Sequence, residues 1–167
     1  DRPLDLTFWK EKINNAYALR QRIGIAGSHA TNAFRLVHAE GDGLPGLVID
    51  VYDRAAIIQT HSIGMQLSLE VIAEALQTLP GLSFETIYHR HASREQLAQG
   101  HFLKGNTEGA EVRENDHSFF VNWKEGQKTG FFLDQRDNRS LLAQYSKGRM
   151  VLNTFCYSGG FSVYALK

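Results

Sequence analysis

The chain has 167 residues, 18 Lys+Arg against 18 Asp+Glu, and 43% hydrophobic residues, a composition that builds a buried core rather than a disordered chain. A formal net charge of zero gives no global electrostatic case for a polyanion partner, and a single cysteine excludes both an internal disulfide framework and a Cys-rich zinc site. No apolar run approaches the roughly 20 residues of a membrane helix, and Asp1–Lys12 lacks the basic start and apolar centre of a signal peptide, so a soluble, cytoplasmic protein is the default expectation.

Asp1–Asp5 reads as linker or turn. From Asp5 to Arg22, Leu6, Trp9, Ile13, Ala16 and Tyr17 recur at helical spacing, with Thr7 as a cap and Gly24 and Gly27 at the exit. Ala33–His38 and Gly46–Tyr52 have the branched and aromatic composition of strands, and the glycines and Pro45 of Glu40–Gly46 reverse the chain between them. Ala55–Thr60 follows the Asp53-Arg54 turn closely enough to pair antiparallel. The stripe Leu67, Val71, Ile72, Ala75, Leu76, Leu79 predicts a helix from about Gln66 to Leu79, stopped by Pro80-Gly81. Phe84–His91 reads as a strand, and Gly105–Trp123 as short strands, with Glu111–Glu114 and Ser118–Trp123 the clearest. The order strand-strand-strand-helix-strand-strand predicts an α+β unit with an antiparallel sheet over about Ala33 to Trp123. After Trp123 a loop, a helix from about Gln135 to Tyr145 and a strand Arg149–Thr154 read as the opening of an α/β domain. A parallel strand must be covered on both faces, so the chain is expected to stop inside that domain.

Three constellations carry possible chemistry. In Val151–Ser162 a strand ends in small residues, where a cofactor can approach the backbone; without the G-x-G-x-x-G spacing, a packing turn is the alternative. In Gly126–Arg139 glycines alternate with polar side chains, two aromatics follow, and Arg136 and Arg139 share a helical face; a ligand loop and a salt-bridged first turn both fit. In His89-Arg90-His91 alternation puts the two imidazoles about 7 Å apart on one strand face, which suits a metal less well than a surface or half-buried face, because no third ligand is evident. Cys156 beside an apolar strand reads as a small buried hydrophobe rather than a nucleophile.

Gly126–Arg139 (GQKTGFFLDQRDNR) and Val151–Tyr164 (VLNTFCYSGGFSVY), with Glu40–Asp53 (EGDGLPGLVIDVYD), resemble the bacterial class I SAM-dependent methyltransferases that make 5-methylcytosine in 23S rRNA. The resemblance implies a central α+β domain followed by the start of a Rossmann-like methyltransferase domain, in a layout that also has an N-terminal PUA domain. The implied division is a connecting helix (1–32), the central domain (33–123) and an incomplete SAM-binding part (124–167). It implies SAM as cofactor and 23S rRNA as partner, with no membrane and no metal; an oligomeric state does not follow from it. It further implies SAM contacts by Asn153, Phe155, Tyr157, Ser158 and Gly159 in the first motif. Gln127, Lys128, Thr129, Phe132, Asp134, Gln135 and Arg136 would close over the cofactor from the side. Asn153 stands where many such enzymes have an acidic residue. The catalytic cysteines are expected beyond Lys167, so no catalytic residue is assigned in this chain, which is expected to be inactive alone. The alternatives are a non-catalytic RNA- or protein-binding module and a guanine-N7 rRNA methyltransferase relative.

Overall fold

The computed structural model describes residues 3–91 and 100–166. Helix α1 (Leu6–Arg22) begins where the Asp5 carboxylate accepts the Phe8 N–H at 2.9 Å; Asp5, not Thr7, caps it, because only from that position does a side chain reach the third helical amide. Its spacing buries Trp9, Ile13, Ala16 and Tyr17 on one face. Strands β1 (Ala33–His38), β2 (Leu47–Tyr52) and β3 (Ala55–Thr60) then form an antiparallel meander. A bulge between Arg35 and Val37 lets the consecutive Leu36 and Val37 both enter the core.

The helix expected over Gln66–Leu79 is two: α2 (Ile63–Leu67) and α3 (Leu69–Leu76), broken at Ser68, whose hydroxyl donates to the Gly64 carbonyl at 3.1 Å. This helical crossover returns the chain to the same end of the sheet, so β4 (Thr86–His89) pairs parallel with β3. The wholly antiparallel sheet expected from the sequence is therefore mixed. β5 (His101–Lys104) adds antiparallel to β4, giving the order β1-β2-β3-β4-β5. The strand expected over Phe84–His91 is shorter at both ends, and its continuation past His91 lies outside the described residues.

Alternate residues of the sheet feed two cores. Leu47, Ile49, Val51, Ala56, Ile58 and Ile87 pack with α1 and α3, while Tyr52, Ala55, Ile57 and Tyr88 join a second cluster. That second cluster is completed by the hairpin β6 (Gly109–Glu114) and β7 (His117–Asn122), by Phe131 and Leu133, and by Tyr164. The second core thus runs from the sheet across Trp123 into the segment that follows. Helices α4 (Arg136–Ser146) and α5 (Gly160–Ala165) end the described chain. The expected strand Arg149–Thr154 is absent: no described strand lies beside it to satisfy its backbone, and Met150 and Leu152 are exposed at 101% and 86%. Among the described residues no helix is long and apolar enough to cross a membrane.

Candidate functional site

The loop after β7 is built from the sheet outward. Asn122 accepts the Lys124 and Glu125 N–H groups on its side-chain oxygen, each at 2.9 Å, and the Gly126 N–H on its carbonyl at 3.0 Å. Gly130 has φ +121°, and a Cβ there would lie 2.7 Å from Val121 Cγ1, so only glycine fits. Thr129 is buried: it donates to Asp50 Oδ2 at 2.5 Å and accepts from the Tyr52 hydroxyl at 2.8 Å. Asp50, also buried, is held by a two-pronged bond from Arg35 at 2.8 and 3.0 Å, and that hydrogen bond raises the Arg35 pKa. Burial drives the Tyr52 pKa upward, so its hydroxyl stays a donor.

Arg90 supplies a second clamp. It leaves the end of β4, is buried, and donates to the Trp123 carbonyl and, at 2.5 Å, to the Gly126 carbonyl. Burial lowers its pKa. Of the surface or half-buried face expected for His89-Arg90-His91, the structure gives the buried side: His89 and Arg90 are buried and His91 is partly exposed. His89 is buried, its ring 4.8 Å from that of His91 and 5.2 Å from that of His101 on β5, and it shares a 2.9 Å hydrogen bond with Thr60. Among the described residues no three His, Cys, Asp or Glu side chains are arranged to hold a metal.

Opposite the loop stands the turn 153–159. Tyr157 joins the two: its hydroxyl accepts the Gln127 N–H at 2.7 Å and donates to the Gly130 carbonyl at 3.3 Å, while its ring meets Phe132 edge-on at 5.5 Å. Gly159, at φ +72°, starts α5 in a left-handed conformation. Between loop and turn lies a cleft of about 600 Å³, within the usual range of small-molecule sites. Its walls combine aromatic faces with polar ends. Lys128 sits 4.4 Å from the Phe132 ring centre and 2.7 Å from Asp134 Oδ1. Burial raises the Asp134 pKa, but hydrogen bonds from Lys128 and Gln135 outweigh it and hold the carboxyl below its ordinary value.

Of the residues singled out from the sequence, Gln127, Lys128, Phe132, Asp134, Gln135, Phe155, Tyr157 and Ser158 line this cleft. Thr129 lies behind the wall, on Asp50. Arg136 turns to the Ala33 carbonyl at 2.5 Å and to Glu114 at 3.5 Å, and the Asn153 amide donates to Ser162 at 3.0 Å. Gly159 shapes the turn without lining the cleft. The site residues not assigned to the cofactor from the sequence are Arg139, Cys156, Gly160 and Phe161, and Cys156, expected to be a small buried hydrophobe, is exposed because no strand forms at 149–154 to cover it. The Arg136–Arg139 spacing hinted at Arg139. Its role depends on Glu114, a buried carboxylate from β6, which Arg139 grips through two 2.8 Å bonds while stacking 4.6 Å from the Phe131 ring centre. Gly160 packs against that arginine: a Cβ would fall 3.1 Å from Arg139 Cδ. Tyr164 adds its hydroxyl at 3.1 Å from Glu114, and burial followed by the Glu114 charge raises the tyrosine pKa.

The chain is 40% identical over 175 residues to the ribosomal RNA large subunit methyltransferase I of Aeromonas hydrophila, covering 98% of this chain and 42% of that protein. It is 39% identical to the protein of the same name from Tolumonas auensis, covering 100% and 43%. It thus spans less than half the length of the curated relatives it matches. Among solved structures, a putative SAM-dependent methyltransferase from Streptococcus mutans superposes with a TM-score of 0.84 at 28% identity, over 99% of this chain and 43% of that one. A putative methyltransferase crystallised with SAH superposes at 0.85 with 27% identity, over 99% and 43%. The mixed α/β fold is that of SAM-dependent methyltransferase structures. The model of the S-adenosylmethionine-dependent methyltransferase family matches residues 44–167, which include both walls of the cleft, and the chain belongs to that family.

Proposed function

We propose that the chain forms part of a SAM-dependent rRNA methyltransferase whose cofactor lies in the cleft between the 126–135 loop and the 155–161 turn. The observation that carries this reading is the meeting of two sequence-distant segments across one aromatic and polar cleft, bridged by Tyr157. The donor set suits the cofactor. Phe132, Phe155, Tyr157 and Phe161 offer faces to a flat purine and to the methylene groups around a sulfonium. Asp134, Gln127 and Gln135 offer acceptors to an ammonium and to ribose hydroxyls, and Lys128 offers a cation to a carboxylate. When bound, SAM supplies an electrophilic methyl group; this chain binds it, orients it and keeps bulk water from one side. Thr129, Arg136, Asn153 and Gly159 act one step back, holding the loop and the turn in place.

The relatives' name points to large-subunit rRNA as substrate. The finer reading is methylation of cytosine C5 in 23S rRNA, where a thiolate adds to C6 and makes C5 nucleophilic. That thiol is not assigned to Cys156, which sits on the wall of the proposed cofactor cleft. In this reading residues 1–32 connect, 33–123 form the central domain and 124–167 contribute to the SAM-binding domain; α1 nevertheless packs into the same core as the sheet.

The test is transfer of a labelled methyl group from SAM to unmodified large-subunit rRNA by the full-length enzyme, followed by nucleoside mass spectrometry. 5-Methylcytidine is the expected product. 7-Methylguanosine would redirect the base specificity, and no incorporation into rRNA would overturn the substrate.

A further inference from the structure

Arg90 is a buried cation without an anion. The residue is 3% exposed, and among the described residues no carboxylate pairs with it; the side chains that bear on its charge are Tyr88, Tyr157 and Tyr52. Its Nε has no hydrogen-bond partner, and burying a guanidinium unpaired is costly. What the side chain does make is two bonds to backbone carbonyls at the root of the 126–135 loop, from Nη1 to Trp123 and from Nη2 to Gly126. A planar fork fixes the spacing of its two acceptors, which a lysine ammonium cannot do.

The first acceptor is anchored. Trp123 is fully buried, its N–H donates to the Glu108 carbonyl at 3.1 Å and its indole to the Thr107 carbonyl at 2.9 Å. The second acceptor leads into the cleft, because the Gly126 carbonyl and the Gln127 N–H belong to one peptide unit. That N–H donates to the Tyr157 hydroxyl at 2.7 Å, and the hydroxyl donates to the Gly130 carbonyl at 3.3 Å. The Gly130 N–H closes the same turn on the Gln127 carbonyl at 2.8 Å. The backbone is tightly packed here: a Cβ on Gly126 would lie 2.5 Å from the Asn122 carbonyl oxygen and 2.8 Å from Gly130 Cα. A cation bound to the oxygen of an amide polarises it and strengthens the N–H at its other end as a donor. One peptide therefore separates a buried charge, which does not line the cleft, from the tyrosine that joins the two walls.

We propose that Arg90 is a positioning residue for cofactor binding: it fixes and polarises the Gly126–Gln127 peptide, so that the Gln127 N–H holds the Tyr157 hydroxyl and the two walls meet around SAM. The proposal rests on the reading of the cleft as the SAM site. It adds a residue at the end of β4, in the five-stranded sheet, that sets the affinity of a site it does not line.

The experiment measures SAH binding to the full-length protein by calorimetry in a double-mutant cycle. Arg90→Lys keeps the charge and removes the fork. It should weaken SAH binding about tenfold with Tyr157 intact, and by less than about twofold in the Tyr157→Phe background, where the bond that Arg90 aims is already gone. A purely structural role would give the same loss in both backgrounds. An equal loss in both, or a loss below about twofold in each, would overturn the proposal. NMR of the unaltered protein gives a readout independent of how the variants fold: the Arg90 Nη resonances should shift on saturation with SAH. Arg90 resonances that stay fixed while those of Gln127 and Tyr157 move would contradict the relay through the peptide. SAH that binds while Gln127 and Tyr157 both stay fixed would remove the cleft reading itself.

Discussion

Arg139→Met tests the link between the hairpin and the wall of the 126–135/155–161 cleft. The substitution keeps most of the apolar volume and removes two 2.8 Å bonds to Glu114 and a 3.0 Å bond to the Phe132 carbonyl. Glu114 has no exposed surface, so its carboxylate loses its main counter-charge where water cannot replace it. Removing one member of a buried pair costs about 3–5 kcal/mol; Arg136 at 3.5 Å and Tyr164 at 3.1 Å remain near Glu114 and place the expected loss near the lower figure, about 3 kcal/mol. For a chain of this size that lowers Tm by about 6–12 °C. Urea unfolding followed by tryptophan fluorescence measures the loss, because Trp123 lies in the same core. Glu114→Gln/Arg139→Met, which removes the orphaned charge, should recover at least about 1 kcal/mol relative to the sum of the single changes. A single-variant loss below about 1 kcal/mol together with strict additivity would show that Arg139 does not compensate the buried Glu114 charge.

Gly130→Ala should cost about 2 kcal/mol or more and weaken SAH binding, because its Cβ would meet Val121 Cγ1 at 2.7 Å and Asn122 O at 2.9 Å; unchanged stability in urea contradicts that steric reading. Tyr157→Phe removes the two hydroxyl bonds that join loop and turn, so SAH affinity measured by calorimetry should fall about 3- to 10-fold with little change in Tm. His89 is pushed down to about 4, first by burial and then by the charges of His91 and His101. A base with a lowered folded pKa stabilises the fold above its unfolded value near 6.5, and that contribution is lost as pH falls through about 4. Its ring should show no titration by NMR from pH 8 to 5, and a midpoint near 6.5 would refute its burial. At Asp42 burial raises the pKa, but hydrogen bonds from Arg20 and the His38 N–H outweigh it and lower the value. Its stabilisation is therefore present above the ordinary 3.8 and lost as pH falls through the folded value, so Asp42→Asn should flatten the acid limb of the stability profile.

Much of the element pattern is local and therefore legible. The α1 stripe, the β1–β3 meander and the Gly126–Gly130 loop follow from spacing, turn residues and glycines in the sequence. What spacing cannot carry is pairing between distant residues. Asp50 reads as a polar interruption in a strand until Arg35 and Thr129 surround it. Glu114 reads as a surface glutamate until Arg139, 25 positions later, closes on it. Arg90 reads as a strand residue, although its partners are carbonyls at 123 and 126. The failed strand at 149–154 makes the converse point: an apolar run becomes a strand only where a neighbouring strand satisfies its backbone. Periodicity also could not separate α2 from α3, because the break lies in the bond from Ser68 to the Gly64 carbonyl.

If residues 126–135 and 155–161 form two walls of one SAM site, as proposed, a single ligand must protect both segments. Amide hydrogen exchange with and without saturating SAH reads both walls in one experiment. SAH should slow exchange at Gln127–Gly130 and at Tyr157–Phe161 together, with the α2–α3 amides unchanged. SAH that binds without protecting either segment, or that protects only one, would contradict the proposed site.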